Sequence, residues 1–307
     1  MTRHCQETLE SLICKAYLEA CEVELQAFKP GNVSYHADGH GMTVQDFVIS
    51  SQVSAWPLCR ADASLGRRIR DATEATRHAV GCNTNLGILL LVGPLVQAIW
   101  LVAQDRYRCL KTALAFVLQN TTTQDATDAF SAILTAKPGG LGESSENDVH
   151  QCAEVTLTAA METAADRDTI ALQYASNYTT VFDFAIPRYH CAMSRWNDEL
   201  WAAVFVYTGL LLHRSDSHVE RKFGKQHTSF IEGHMKRVEG ALLRSSDTDE
   251  VMPYLWEADN ALKAQGINPG TTADLVVACL TAVRLERLVG DFFPEKDTGR
   301  QKSGRPC

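Results

Sequence analysis

The sequence predicts an all-α fold, a single globular helical domain packed around one central buried helix. Three observations carry that prediction. The periodic segments nearly all have helical spacing, with apolar residues three and four apart. No segment alternates apolar and polar side chains as a half-buried strand would. One stretch, residues 83–103, is too apolar to lie on a surface.

Composition bounds the rest. A chain of 307 residues, 45% hydrophobic and 21% charged with only 9 prolines, has the profile of a globular protein. A formal charge of −8 argues against a nucleic-acid partner, which would need a basic face to neutralise phosphates. Ten cysteines include no Cys-x-x-Cys pair, and Cys14, Cys21, Cys109, Cys152 and Cys279 fall in apolar helical patterns, so they read as buried free thiols. Glu7 and Glu10 precede any apolar run, which excludes a signal-peptide core and points to the cytoplasm.

In chain order, residues 6–28 form a first helix with Leu9, Leu12, Ile13, Ala16, Tyr17, Ala20 and Ala27 on one stripe. Continuing that stripe lands on Glu24, and an acid on a core face is costly unless it is paired, hydrogen-bonded or bound to a metal. As a carboxylate kept for catalysis rather than for the fold, Glu24 should be replaceable by Gln with the melting temperature kept or raised. Lys29-Pro30-Gly31-Asn32-Val33 then stops the helix in a turn whose cation and glycine suit a phosphate. Residues 44–56 and 67–80 give two more helices, the second rich in Arg.

Asn83, Thr84 and Asn85 are N-cap types, and between Leu86 and Ala103 Gln97 is the only polar side chain. Such a helix offers unpaired N–H groups at its mouth, where Gly87 would let an anion approach. Its length fits a membrane span, but Gly93-Pro94 interrupts it and no second segment like it exists, so a core helix bent at Pro94 is the better reading. Residues 104–135 read as two amphipathic helices, and 137–142 as a glycine-rich loop leading to Asp148, which could cap the next helix. Asp168 falls in a first helical turn. Residues 195–213 read as one long core helix, and the polar residues 294–307 as a disordered tail after a single domain spanning 1–293.

The polar motifs, taken together, resemble the triphosphoribosyl-dephospho-CoA synthase family. The matching residues are Glu24, Lys29-Pro30-Gly31-Asn32-Val33 and Thr84-Asn85-Leu86-Gly87 followed by Pro94-Leu95. Further on come Pro138-Gly139-Gly140-Leu141-Gly142 with Asp148, then Asp168 with Tyr174-Ala175. Asp216-Ser217-His218-Val219-Glu220-Arg221-Lys222-Phe223-Gly224 and Asn268-Pro269-Gly270-Thr271-Thr272-Ala273-Asp274 complete the set. The chain departs from the family pattern at Phe28, where the family has Pro, and carries His218 and Glu220 inside the Asp216 motif.

The resemblance implies an ATP-using, Mg²⁺-dependent transferase that moves the triphosphoribosyl group of ATP to the 2′-hydroxyl of 3′-dephospho-CoA and releases adenine. On that reading Glu24, Asp148 and Asp168 are the catalytic acids, with Glu24 or Asp148 as base, and Asp216 and Asp274 hold Mg²⁺. Lys29, Gly31, Asn32, Thr84, Asn85, Gly87, Gly139, Gly140, Arg221, Lys222, Thr271 and Thr272 bind the nucleotides. A divergent relative acting on another nucleotide or a one-carbon-carrier precursor is the alternative, as is a catalytically silent nucleotide-binding protein. The number of retained acids favours the enzyme. The implied partners are ATP and a nucleotide-type acceptor, with no nucleic acid and no membrane, and a homo-oligomer is left open.

Overall fold

The computed structural model describes residues 3–36, 41–138 and 148–292. Among these the fold is all-α, with fourteen α-helices, one π-helical turn (Thr180–Ala185) and one short 3₁₀ turn (Gly224–His227). The expected tail and the glycine-rich loop with Gly139 and Gly140 lie outside the described residues.

The central helix, α4 (Leu86–Ala103), is long and apolar enough to cross a membrane, yet 83% of it is buried inside the protein. It is surrounded by α3 (Leu65–Val80), α5 (Leu110–Gln119) and the last helix, α14 (Gly270–Phe292), which runs against it. Helices α1 (Arg3–Gln26) and α2 (Val44–Cys59) close one side, while α6 (Thr123–Ala136), α7 (Leu157–Ala164) and α8 (Thr169–Ala175) close another.

Helix α4 runs continuously through Pro94. A proline there cannot donate to the Leu90 carbonyl one turn earlier, a loss that contributes to the roughly 3 kcal/mol cost of an interior helical proline. Tyr174 supplies the missing donor, its hydroxyl lying 2.7 Å from Leu90 O, and Tyr178 donates to Leu91 O at 2.9 Å. Both tyrosines are fully buried, so these bonds satisfy hydroxyls that would otherwise be stranded. The lone polar side chain of α4, Gln97, accepts from the buried guanidinium of Arg68, which also donates to the carbonyls of Leu58, Arg60 and Ala63. Burial pulls the Arg68 pKa down to about 10.

Helix starts follow local capping chemistry. Thr43 with Asp46 and Thr122 with Asp125 form reciprocal capping boxes, and Asp168, Asp198 and Asp216 accept from the first backbone N–H groups of the helices they precede. This chemistry divides the stretch read as a single helix over 195–213. Asn197 takes a left-handed φ of 48° and ends α9 (Ile186–Trp196), and Asp198 restarts the chain as α10 (Glu199–His213). Likewise Asp148 does not cap a helix, because the next one, α7, begins only at Leu157 and is capped by Thr156.

Cys21 and Cys279 are buried as expected. Cys14 and Cys109 are only partly so, and Cys152 is exposed in non-helical chain, outside any apolar pattern.

Candidate active site

One cavity of about 430 Å³ opens where the N-termini of α4 and α14 meet the C-terminal end of α1. That volume lies within the ~300–1,000 Å³ of small-molecule sites. Glu24, Asp148, Asp168 and Asp274 all line it, four acids from widely separated parts of the sequence. Asn32, Thr84, Gly87, Arg221 and Thr271 line it too, so nine of the residues singled out in the sequence converge there.

The four acids differ in how they are held. Glu24 is 5% exposed, and its Oε1 meets the Nζ of Lys29 at 3.1 Å. Lys29 is fully buried and also donates to Glu24 O at 2.6 Å and Val33 O at 3.1 Å. Burial raises the Glu24 pKa and lowers that of Lys29, in each case against the pull of the partner's charge. Lys29 therefore does not reach the cavity. It is the counter-ion of Glu24 and ties the end of α1 to the following turn.

Asp168 caps α8 through Oδ1, which accepts from Ile170 N at 2.8 Å and Ala171 N at 3.1 Å, while Oδ2 pairs with Arg221 Nη1 at 2.5 Å. Asp148, 8% exposed, accepts from the backbone N–H of His150 at 2.8 Å and meets its Nδ1 at 2.7 Å.

Asp274 is different. It sits on the cavity wall within the first turns of α14, with neither a hydrogen bond nor an ion pair among the described residues. Burial, then the nearby carboxylates of Glu24 and Asp216, push its pKa well above the usual carboxylate range, only partly opposed by Arg221. Its carboxylate occupies the space beside Gly87, where a Cβ would lie 2.0 Å from Oδ2. The sequence suggested that Gly87 makes room for a phosphate. In the structure it makes room for Asp274.

Asp216 has both oxygens engaged away from the cavity. Oδ1 caps α11 (Ser217–Phe223) through His218 N and Val219 N, and Oδ2 accepts from Thr272 N and Thr272 Oγ1, each at 2.7 Å. Asp216 and Thr272 thus join α11 to the start of α14 and set the position of Asp274. Ser217 adds a second tie, its hydroxyl donating to Thr271 Oγ1 at 3.1 Å.

The other expected nucleotide contacts divide in the same way. Gly31, at φ +82°, donates to Asp259 Oδ1 at 2.8 Å and packs so closely on α13 (Thr248–Ala264) that a Cβ would lie 2.9 Å from Leu262. Asn32 reaches Asn268 at 2.8 Å from the cavity edge. Asn85 points at Ser54, 3.2 Å away, while Thr84 shares a 2.5 Å hydrogen bond with Ser50 and still lines the cavity. Lys222 is exposed and turned to Gly266 O at 3.5 Å and the ring of Phe223.

Arg167, His218 and Asn268 line the cavity without having been singled out as contacts. Arg167 and His218 each lie within two residues of a flagged acid at a helix start. Turn geometry there places neighbouring side chains on the same opening, and that proximity was the available signal.

Comparisons with known proteins identify the fold and the family. A candidate triphosphoribosyl-dephospho-CoA synthase from Archaeoglobus fulgidus has a similar fold, with a TM-score of 0.58 at 18% identity, covering 78% of this chain and 98% of that one. No curated protein matches the sequence at a significant level. The family model for ATP:dephospho-CoA triphosphoribosyl transferase matches residues 10–292, and the chain belongs to that family.

Proposed function

We propose that this cavity transfers the triphosphoribosyl group of ATP to the 2′-hydroxyl of 3′-dephospho-CoA. The observation that carries the reading is the convergence of Glu24, Asp148, Asp168 and Asp274 on one cavity in a chain of this family. In the reaction the acceptor oxygen bonds to C1′ of the donor ribose as the C1′–N9 bond breaks. The hydroxyl proton passes to a carboxylate, and adenine leaves after gaining a proton. Positive charge grows on the ribose ring in the transition state, and carboxylates close to it stabilise that charge.

Glu24 is the proposed base. Lys29 fixes one of its oxygens, and burial raises its pKa toward the working pH, where a base is most effective. Arg221, with Arg167 at the mouth, is placed to meet the triphosphate. Lys222 is too far turned away to join them.

The residues also suit Mg²⁺. That ion commonly takes one or two protein carboxylates and completes its shell with water and substrate phosphates. Among the described residues no group of three or more ligating side chains forms a full cage. Asp274, whose carboxylate has no hydrogen bond or ion pair among the described residues, would hold the ion, which would offset the triphosphate charge. Asp216 and Asp168 are not proposed as ligands, because both oxygens of each are already bonded. The nine described cysteines are all free, which supports a reducing compartment such as the cytoplasm.

The test is direct. Incubated with ATP, Mg²⁺ and dephospho-CoA, the protein should release free adenine and yield an acceptor heavier by one triphosphoribosyl group. Hydrolysis to ADP or AMP without adenine would overturn the reading.

A further inference from the structure

The cavity has two walls of different chemistry. One is polar, built from the end of α1, the start of α14 and helix α11, and carries Glu24, Asp274, Thr271, His218 and Arg221. The other comes from α6 and α7, continued by α8, and presents Phe130, Ile133, Ala160, Met161, Ala164 and Ile170. Phe130, Ala160, Met161 and Ile170 are 6–9% exposed, so what surface they keep faces this opening. The walls meet at Gly87, where a Cβ would touch Asp274 Oδ2 on one side at 2.0 Å and Ile170 Cδ1 on the other at 2.9 Å.

We propose that the wall of α6 and α7 is the seat of the adenine that leaves, and that it orients the donor for attack. This rests on the triphosphoribosyl-transfer reading above. A triphosphate cannot lie on an apolar wall without losing its hydration uncompensated, which leaves the base as the part of ATP that fits there. Displacement at C1′ places nucleophile and leaving group on opposite faces of the ribose. The hydroxyl must lie beside the acids that take its proton, so the base lies across from them, and C1′ falls at the seam by Gly87. A flat, uncharged heterocycle against Phe130, Met161 and the aliphatic side chains buries apolar surface without stranding a charge. As the product it is held by no ionic contact and can depart.

The experiment measures ATP, dephospho-CoA and adenine separately in the wild type, in Ile133→Gln, and in Ala164→Leu, which narrows the same wall without adding a polar atom. Circular dichroism checks that each variant is folded. Free adenine should compete with ATP. Both variants should weaken adenine and ATP binding roughly tenfold, the scale on which hydrophobic pockets sense small changes, and leave the KM for dephospho-CoA within about twofold. A rise in the dephospho-CoA KM with ATP binding intact would overturn the assignment and give this wall to the acceptor. If the wild type releases no adenine, the reaction reading fails, and direct titration with ATP and adenine still decides whether this wall holds the base.

Discussion

Replacing Glu24 with Gln tests the buried pair at the edge of the site. The ammonium of Lys29 has three protons and four acceptors within reach: Glu24 O at 2.6 Å, Val33 O at 3.1 Å, Ala27 O at 3.4 Å and Glu24 Oε1 at 3.1 Å. A glutamine can keep the last contact through its amide oxygen but supplies no charge. Leaving one partner of a buried pair uncompensated typically costs about 3–5 kcal/mol. Three carbonyls remain here, and burial already lowers the Lys29 pKa, which favours the neutral amine. Both reduce the cost, to about 2–3 kcal/mol. With an unfolding entropy of about 2.1 cal/mol/K per residue, a chain of 307 residues should lose roughly 3–5 °C of melting temperature. A carboxylate kept only for catalysis would be removable at no thermal cost, and the pairing with Lys29 reverses that sign. Thermal melts of the wild type, Glu24→Gln, Lys29→Met and the double variant at pH 7 give the coupling. The double variant should recover at least half of the summed losses, while every variant lacking Glu24 binds ATP but releases no adenine. A Glu24→Gln protein as stable as the wild type would refute the pairing argument, and one that still turned over would remove Glu24 as the base.

Two further outcomes follow from Asp274 and its neighbour. Its folded pKa stands well above the ordinary 3.8, so over that interval the folded state holds a proton that the unfolded chain has released, and stability falls as pH rises through it. Asp274→Asn removes that dependence. Its melting temperature should exceed that of the wild type at pH 8 by more than at pH 5, while adenine release is lost. A gap that does not change with pH would show that Asp274 carries no such strain. Gly87→Ala forces a methyl into the place of the Asp274 carboxylate, and a displacement near 1 Å at a reacting centre costs on the order of a hundredfold in rate. Turnover should fall by about that factor with melting changed by only a few degrees, and an unimpaired Gly87→Ala enzyme would mean that the position of Asp274 does not matter.

The fold was legible because helical period and capping are local. The stripe from Leu9 to Ala27 is buried apart from the half-buried Leu12, residues 86–103 form the core helix, and Glu24 faces inward as its spacing required. Where a local signal was ambiguous, tertiary chemistry decided. Asn197-Asp198 broke a run that looked continuous, and Pro94 was absorbed because Tyr174, eighty residues further along the chain, donates to the carbonyl it leaves open. The membership of the site was also largely legible, since nine flagged residues line the cavity. What could not be read from sequence is which polar groups are already satisfied. Lys29, Gly31, Asn85, Asp216 and Thr272 match the family's motifs as well as the cavity residues do, yet their hydrogen bonds go to other groups of the protein and away from the cavity.

That distribution of partners explains how the motifs work as a unit. Asp216 and Thr272 hold the start of α14, Lys29 and Gly31 hold the turn after α1, and the tyrosines of 174 and 178 hold α4 around its proline. The first two sets fix the segments that carry Asp274 and Glu24, and the third fixes the helix that carries Gly87. The fixed groups lose their ability to bind substrate by being bonded, and what they gain is the placement of those that are not. Asp274 is the extreme case, a carboxylate kept at the seam of the cavity by neighbours that, among the described residues, give it no hydrogen bond. The burial that raises its pKa makes the apo protein less stable at neutral pH, and a cation or a developing positive charge in the cavity relieves that strain. A carboxylate so placed would interact more strongly with a cationic transition state than with the neutral ribose of the bound substrate, and that difference is what catalysis requires beyond simple binding.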